Sequence, residues 1–253
     1  MEVVQLHELQ LVQMAPSNVI AESWRSLFEL IDHSGSFTWK YSTTRRLKFT
    51  GLFKDPIRCA ITPNVSTKLK AEPNAFTWSY EIEYETKPFK LTPTEEKHTH
   101  DSFQVSFDVD PKPKANDIIQ YTMVFESPYL NPVYLEDIQE VRPPILINGN
   151  EYLCFEGYVP VVRTQNMKLQ FRFPVSLGLK PEDFEPFVAS YYTNTFEYLV
   201  ESEVKRMTIK KDSFGGNIFI EISTESPLLQ HDYGVAWNPP KRPDHPACDP
   251  SGP

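Results

Sequence analysis

The chain has 253 residues, 40% hydrophobic and 13% aromatic. That is enough to bury a core in one large domain or in two of about 100 residues. It carries 23 Pro against 9 Gly, three Cys and a formal net charge of −9. These numbers exclude a disordered chain and a disulfide framework, and they speak against a general nucleic-acid surface or attachment to anionic membrane.

Residues 2–15 are apolar-rich, but Val4, Leu6, Leu9 and Leu11 fit neither the helical nor the strand period. Over 18–33, Val19, Ile20, Trp24, Leu27, Phe28 and Ile31 fall on one side at helical spacing. Ser17 offers an N-cap and Gly35 a stop, so the pattern predicts an amphipathic helix. Segment 1–35 is therefore expected to pack as a helical arm on the first β-module. Trp24, Leu27, Phe28 and Ile31 form its apolar stripe and are the candidate partner-binding residues.

Strand patterns then succeed one another. Ser36–Tyr41 places Phe37, Trp39 and Tyr41 on one face, and Leu47–Phe53 and Ile57–Thr62 flank the turn tripeptide Lys54-Asp55-Pro56. Phe76, Trp78, Tyr80, Ile82 and Tyr84 alternate at strict period 2, the mark of a sandwich-core strand. Phe103–Pro128 runs from an alternating strand through Pro111 and Asp117 into a second strand starting near Tyr121. Ile218–Pro239 repeats that order with Pro227, Asp232 and Tyr233. The similarity predicts a duplicated strand–turn–strand unit.

Between the copies, Pro128, Pro132, Pro143 and Pro144 punctuate a semi-rigid linker over 129–144. Asn148-Gly149-Asn150 reads as a tight hairpin turn, Met167–Pro174 as a strand, and Pro181-Glu182-Asp183 as a short helical start. Phe196–Ile209 reads as a strand and Ser213–Gly216 as a turn. The Pro-rich residues 241–253 read as a disordered tail. The fold class expected is all-β: tandem immunoglobulin-like sandwiches at 36–128 and 145–240, preceded by the amphipathic helix. One larger sandwich built from both halves is the competing architecture.

Chemistry is sparsely marked. There is no nucleophile elbow, dinucleotide loop or phosphate loop. His98 and His100, beside Glu96 and Asp101, share the spacing of two ligands on one strand face, but a third ligand is not identifiable. Asp244-His245-Pro246-Ala247-Cys248 holds half a zinc pattern without its other half. Lys205, Arg206, Lys210 and Lys211 make a local basic patch that reads as a solvated strand face or turn. Cys59 and Cys154 lie in apolar runs as small buried hydrophobes. No cofactor and no metal are expected.

No run approaches the roughly 18 apolar residues of a membrane span, and the first residues lack a secretion pattern, so the cytoplasm is the expected location. The leading functional expectation is a non-enzymatic protein-interaction module, an adaptor or regulatory subunit of a signalling complex with a protein partner and no nucleic acid or membrane. A carbohydrate or small-ligand binder using Tyr129, Tyr191, Tyr192 and Trp237 comes second. A metal-dependent enzyme using His98 and His100 comes third.

Overall fold

A strand, not a helix, occupies residues 19–33 in the computed structural model, which describes residues 18–61, 77–98, 103–128, 133–138, 144–190 and 200–242. Strand β1 (Val19–His33) pairs antiparallel along its length with β2 (Ser36–Phe49). Its other edge pairs in parallel with β11 (Thr164–Pro174), from Ala21 opposite Thr164 to Glu29 opposite Arg172. A register shift between Ala21 and Ser23 breaks the alternation. Val19 and Ala21 point inward before it, and Trp24, Ser26, Phe28 and Leu30 after it.

That shift is not the source of the misread period, because beyond it the strand alternates regularly. Trp24 and Phe28 belong to the inner face, whereas Leu27 and Ile31 belong to the outer one. Their spacing of three and four residues matches a helix because apolar residues on both faces of a regular strand are read as one stripe. The expected helical arm is thus replaced by a central strand. Pairing on both edges satisfies the backbone groups that a helix would have satisfied internally.

The sheet containing β1 has seven strands in the order β13-β14-β11-β1-β2-β7-β4, which brings in β4 (Thr77–Tyr84), β7 (Ile118–Pro128), β13 (Thr208–Phe214) and β14 (Asn217–Glu225). Three of these strands come from the expected second module and four from the first module and its arm. The boundary at 129–144 therefore does not separate two sandwiches. Two three-stranded sheets lie on the inner face. One consists of β3 (Ile57–Ile61), β6 (Phe103–Asp110) and β5 (Lys90–His98), in that order. The other consists of β10 (Cys154–Tyr158), β15 (His231–Trp237) and β12 (Glu185–Ser190). The fold is all-β, and the short helix α1 (Glu201–Val204) is the only α-helix among the described residues.

One contiguous core runs through both halves, from Phe49, Phe107 and Phe125 to Phe171, Phe173 and Trp237. Phe107 packs edge-on against Trp78 and Tyr80, which fixes the β6 sheet over the β4 edge. Phe173 meets Trp237 at 5.0 Å and Phe184 at 4.5 Å, which fixes the β15 sheet over β11. A hairpin of β8 (Ile145–Ile147) and β9 (Asn150–Tyr152) covers the far side of the β15 sheet with Ile145 and Ile147. Its turn is the expected one, with Asn148 and Gly149 both at positive φ, as a tight hairpin of this twist requires.

Two further expectations change. The two strand–turn–strand units are not equivalent. The first passes from a small sheet (β6) into the large one (β7), and the second passes from the large sheet (β14) into a small one (β15). Tyr121 and Tyr233 therefore sit in different layers, and the resemblance reflects strand-and-turn composition. In the expected linker, the described part 133–138 is packed down: Tyr134 is buried and the Leu135 N–H donates to the Pro240 carbonyl at 2.8 Å. Arg242 pairs with Asp137 at 2.5 Å and lies over the Tyr134 ring. Residues 129–132, 139–143 and 243–253 lie outside the described residues.

The inward and outward positions of β1 predict a sharp contrast. Phe28→Ala should cost about 3–5 kcal/mol, because it empties a fully enclosed aromatic site. Leu27→Ala, one residue earlier but half-exposed, should cost under about 2 kcal/mol. Urea denaturation of both variants measures the difference, which a helix presenting both residues on one stripe would not produce.

Candidate functional site

The four residues expected to bind a partner are split between two surfaces. Trp24 and Phe28 are 3% and 2% exposed and cannot touch another molecule without unfolding. Leu27 and Ile31 face outward with Ile20 on the same strand, all half-buried. Every outward residue of β1, β2 and β7 keeps solvent exposure, so none of them is sealed by the described structure. Val124 on β7 and Phe219 on β14 add apolar surface to this face.

Ion pairs surround the apolar positions. Arg172 bonds Glu29 at 2.6 Å across the β1–β11 seam, and Lys168 bonds Glu221 at 2.7 Å. Arg46 bonds Glu22 at 2.9 Å and also Glu85. Exposed pairs of this kind add little stability. They do fix the positions of long side chains around the apolar strip.

The inner face carries a second distinctive group of residues. Its surface is mostly apolar, and a polar cluster lies along the middle of β1 and β2. There the Trp24 Nε1–H is shared between Ser26 Oγ at 2.7 Å and Thr43 Oγ1 at 3.0 Å. Ser26 Oγ also meets Thr43 Oγ1 at 3.1 Å and the Tyr41 hydroxyl at 3.0 Å. The Arg45 guanidinium lies 4.6 Å over the Trp24 ring. The Tyr158 ring, from the edge strand β10, stacks on Tyr41 at 4.9 Å and on Phe171 at 6.0 Å.

Beside Tyr158, on the same face of β10, is Glu156. It is half-buried by surface area, yet protein surrounds its carboxyl closely enough for desolvation to dominate. Desolvation, with the charge of Asp232 second, pushes it from 4.5 up to about 8. Asp232 is pushed to about 7 by desolvation alone. Its Oδ1 has no hydrogen-bond partner, and neither does the buried Tyr158 hydroxyl. Desolvation, followed by the nearby Glu156, raises the Tyr158 hydroxyl well above its ordinary range, although the two do not reach good hydrogen-bond geometry.

Asp232 explains a glycine. A Cβ on Gly157 would sit 2.1 Å from Asp232 Oδ1, so the carboxyl occupies the space a side chain would need. The shared Asp of the two repeat units therefore has two roles. Asp117 accepts the Lys114 N–H at 2.7 Å in a turn, as its sequence context suggests, whereas Asp232 is a buried strand residue.

Glu156 and Tyr158 carried no sequence signal beyond a polar residue between Phe155 and Gly157. The one readable hint was a charged residue inside an otherwise apolar strand run. The stacking candidate Trp237 is 4% exposed and belongs to the core, so it is corrected as a ligand platform. Tyr129, Tyr191 and Tyr192 lie outside the described residues. The His98 backbone ends β5, and His100 lies outside the described residues. Among the described residues, no group of three or more His, Cys, Asp and Glu side chains is arranged to hold a metal. No helix there is long and apolar enough to cross a membrane.

No family model matches this chain, and no curated protein does. Solved structures with a similar course include the M1 zinc metallopeptidase from Deinococcus radiodurans, at 7% identity and a TM-score of 0.42. A protease candidate from Parabacteroides distasonis is similar at 8% identity and a TM-score of 0.46. The matches cover 88% and 87% of this chain but only 43% and 41% of those chains. Similarity at this level transfers no activity.

The raised carboxyls predict a pH dependence of definite sign. An acid whose folded pKa lies above its unfolded value holds its proton more tightly in the native state. Stability from Glu156 and Asp232 is therefore full below about pH 4 and is lost as pH rises towards about 7–8. The melting temperature should fall between about pH 5 and pH 9, and Glu156→Gln should flatten that decline. An unchanged slope in the Gln variant would show that Glu156 is not the titrating group.

Proposed function

We propose that this chain is a protein-interaction module that engages a protein partner on the outward face of its seven-stranded sheet, with Leu27 and Ile31 near the centre of the contact. The observation that supports this reading is the pair of half-buried apolar residues Leu27 and Ile31 on either side of the Glu29–Arg172 ion pair on the outward face. An apolar centre within a polar surround is the usual make-up of a protein–protein contact. The strip also lies on β1, the strand held most firmly from both sides, so the surface is pre-organised and binding orders little backbone. An adaptor or regulatory role in a signalling complex, and a cytoplasmic setting, extend the same reading.

The double variant Leu27→Asp/Ile31→Asp tests it. Both positions retain solvent exposure, so the variant should keep the far-UV spectrum and a cooperative melt. A partner recovered with the wild-type chain, then purified, should bind wild type directly and bind the variant at least about tenfold more weakly, since desolvating a buried carboxylate opposes contact. Equal binding of a folded variant, measured by calorimetry, would remove this face from the proposal.

A further inference from the structure

The large sheet ends, among the described residues, in two strands that each pair on one side only, and they differ in a way that bears on self-association. Among the described residues, β13 pairs only with β14, and β4 only with β7. Exposed edges are normally blunted by Pro, bulges or charge. β13 has neither Pro nor a register shift, since all seven residues from Thr208 to Phe214 pair in straight register; its only blunting device is charge, at Lys210, Lys211 and Asp212. It is exposed along nearly its whole length, and it ends in Phe214, 61% exposed and stacked at 4.1 Å on Phe219.

Its charges are arranged symmetrically about Lys211. Lys210 and Asp212 lie on the outward face, opposite Glu221 and Phe219 of β14. Two copies laid antiparallel about Lys211 would set Lys210 of each against Asp212 of the other, giving two opposite-charge cross-strand pairs. Phe214 would face Thr208 of the second copy. The two Lys211 side chains meet at the axis on the inner face. Each donates to its own Phe184 carbonyl at 2.6 Å, which draws the ammonium back towards its own molecule. The β4 edge gives the opposite result under the same operation. Its outward Glu81 and Glu83 would face Glu83 and Glu81 of the second copy, and like charges directly opposite repel.

We propose that β13 is the interface of a two-fold-symmetric dimer of this chain, in which two β13 edges pair antiparallel and carry the large sheet through both molecules. The pairing uses the backbone groups that β13 leaves open and covers part of Phe214. A two-fold contact of this kind is closed, because each edge is consumed by its own copy. It leaves the outward Leu27–Ile31 strip free, so it stands apart from the proposed partner contact.

Sedimentation equilibrium of the full chain at micromolar concentration tests the dimer. Wild type should show a monomer–dimer equilibrium. Lys210→Asp and Asp212→Lys should each raise the dissociation constant roughly tenfold or more, since each turns two attractive pairs repulsive. The double variant Lys210→Asp/Asp212→Lys restores both pairs in this register alone and should recover dimerisation. Both positions are exposed, and circular dichroism checks that the fold is kept. A wild type that stays monomeric overturns the proposal, as does a dimer indifferent to the single variants or a double variant that fails to recover. Assemblies that grow beyond two and dissolve in Glu81→Lys would mean head-to-tail pairing of β13 with β4, which also overturns it.

Discussion

The parallel pairing of β1 with β11 is the constraint on which the rest of the molecule depends. It joins residues 21–29 to residues 164–172, more than a hundred positions apart, and turns two strand-rich halves into one seven-stranded sheet. Parallel neighbours need a long crossover, and here it comprises everything from β2 to β10. With β1 fixed at the centre, its inward Trp24, Phe28 and Leu30 meet the residues of both halves, and the core becomes continuous. The bulge at Ala21–Ser23 sets which side chains point inward. The Glu29–Arg172 ion pair marks the same seam on the outer face.

The inner polar strip lies beside this seam, on the neighbouring β1–β2 pair. Ser26 and Thr43 take up the indole N–H of Trp24 and the hydroxyl of Tyr41, so a polar group in an apolar core is satisfied within two strands. Tyr158 and Asp232 are not satisfied in the same way, and Glu156 is held neutral to unusually high pH. Burial of such groups costs stability relative to an apolar side chain of similar volume. Elsewhere the balance runs the other way: Asp32 titrates below its ordinary value, chiefly because the Ser176 hydroxyl and then the Gly35 N–H donate to its carboxylate. Stability from Asp32 is lost as pH falls through that lowered value. The protein is therefore expected to be most stable between the loss at Asp32 as pH falls and the loss at Glu156 and Asp232 as pH rises above about 4.

Much of the fold was legible from period alone. The Asn148-Gly149 hairpin, the β11 strand and the all-β class follow from local rules and appear as expected. The alternation of Trp78, Tyr80 and Ile82 also gives a strand, although β4 is an edge strand and Tyr84 is 48% exposed. Strand β1 was misread because Trp24 and Phe28 on one face and Leu27 and Ile31 on the other are all apolar, so both faces together imitate a helical stripe. The union of the two halves was illegible for a different reason: pairing between Ala21 and Thr164 leaves no local trace in either segment. The Glu156–Asp232 neighbourhood was hidden too, because it depends on which residues β10 and β15 bring side by side. Of the four expected partner-binding residues, Leu27 and Ile31 remain outward, while Trp24 and Phe28 serve the core.

The central claim is that β1 and β11 make one cooperative sheet from both halves. Expressing residues 1–144 and 145–253 separately, and following each by thermal circular dichroism, tests it most directly. The account predicts that neither half melts cooperatively alone and that mixing the two restores a cooperative transition, because each lacks the neighbour that closes its side of the seam. Two sharp, independent melts in the isolated halves would contradict it.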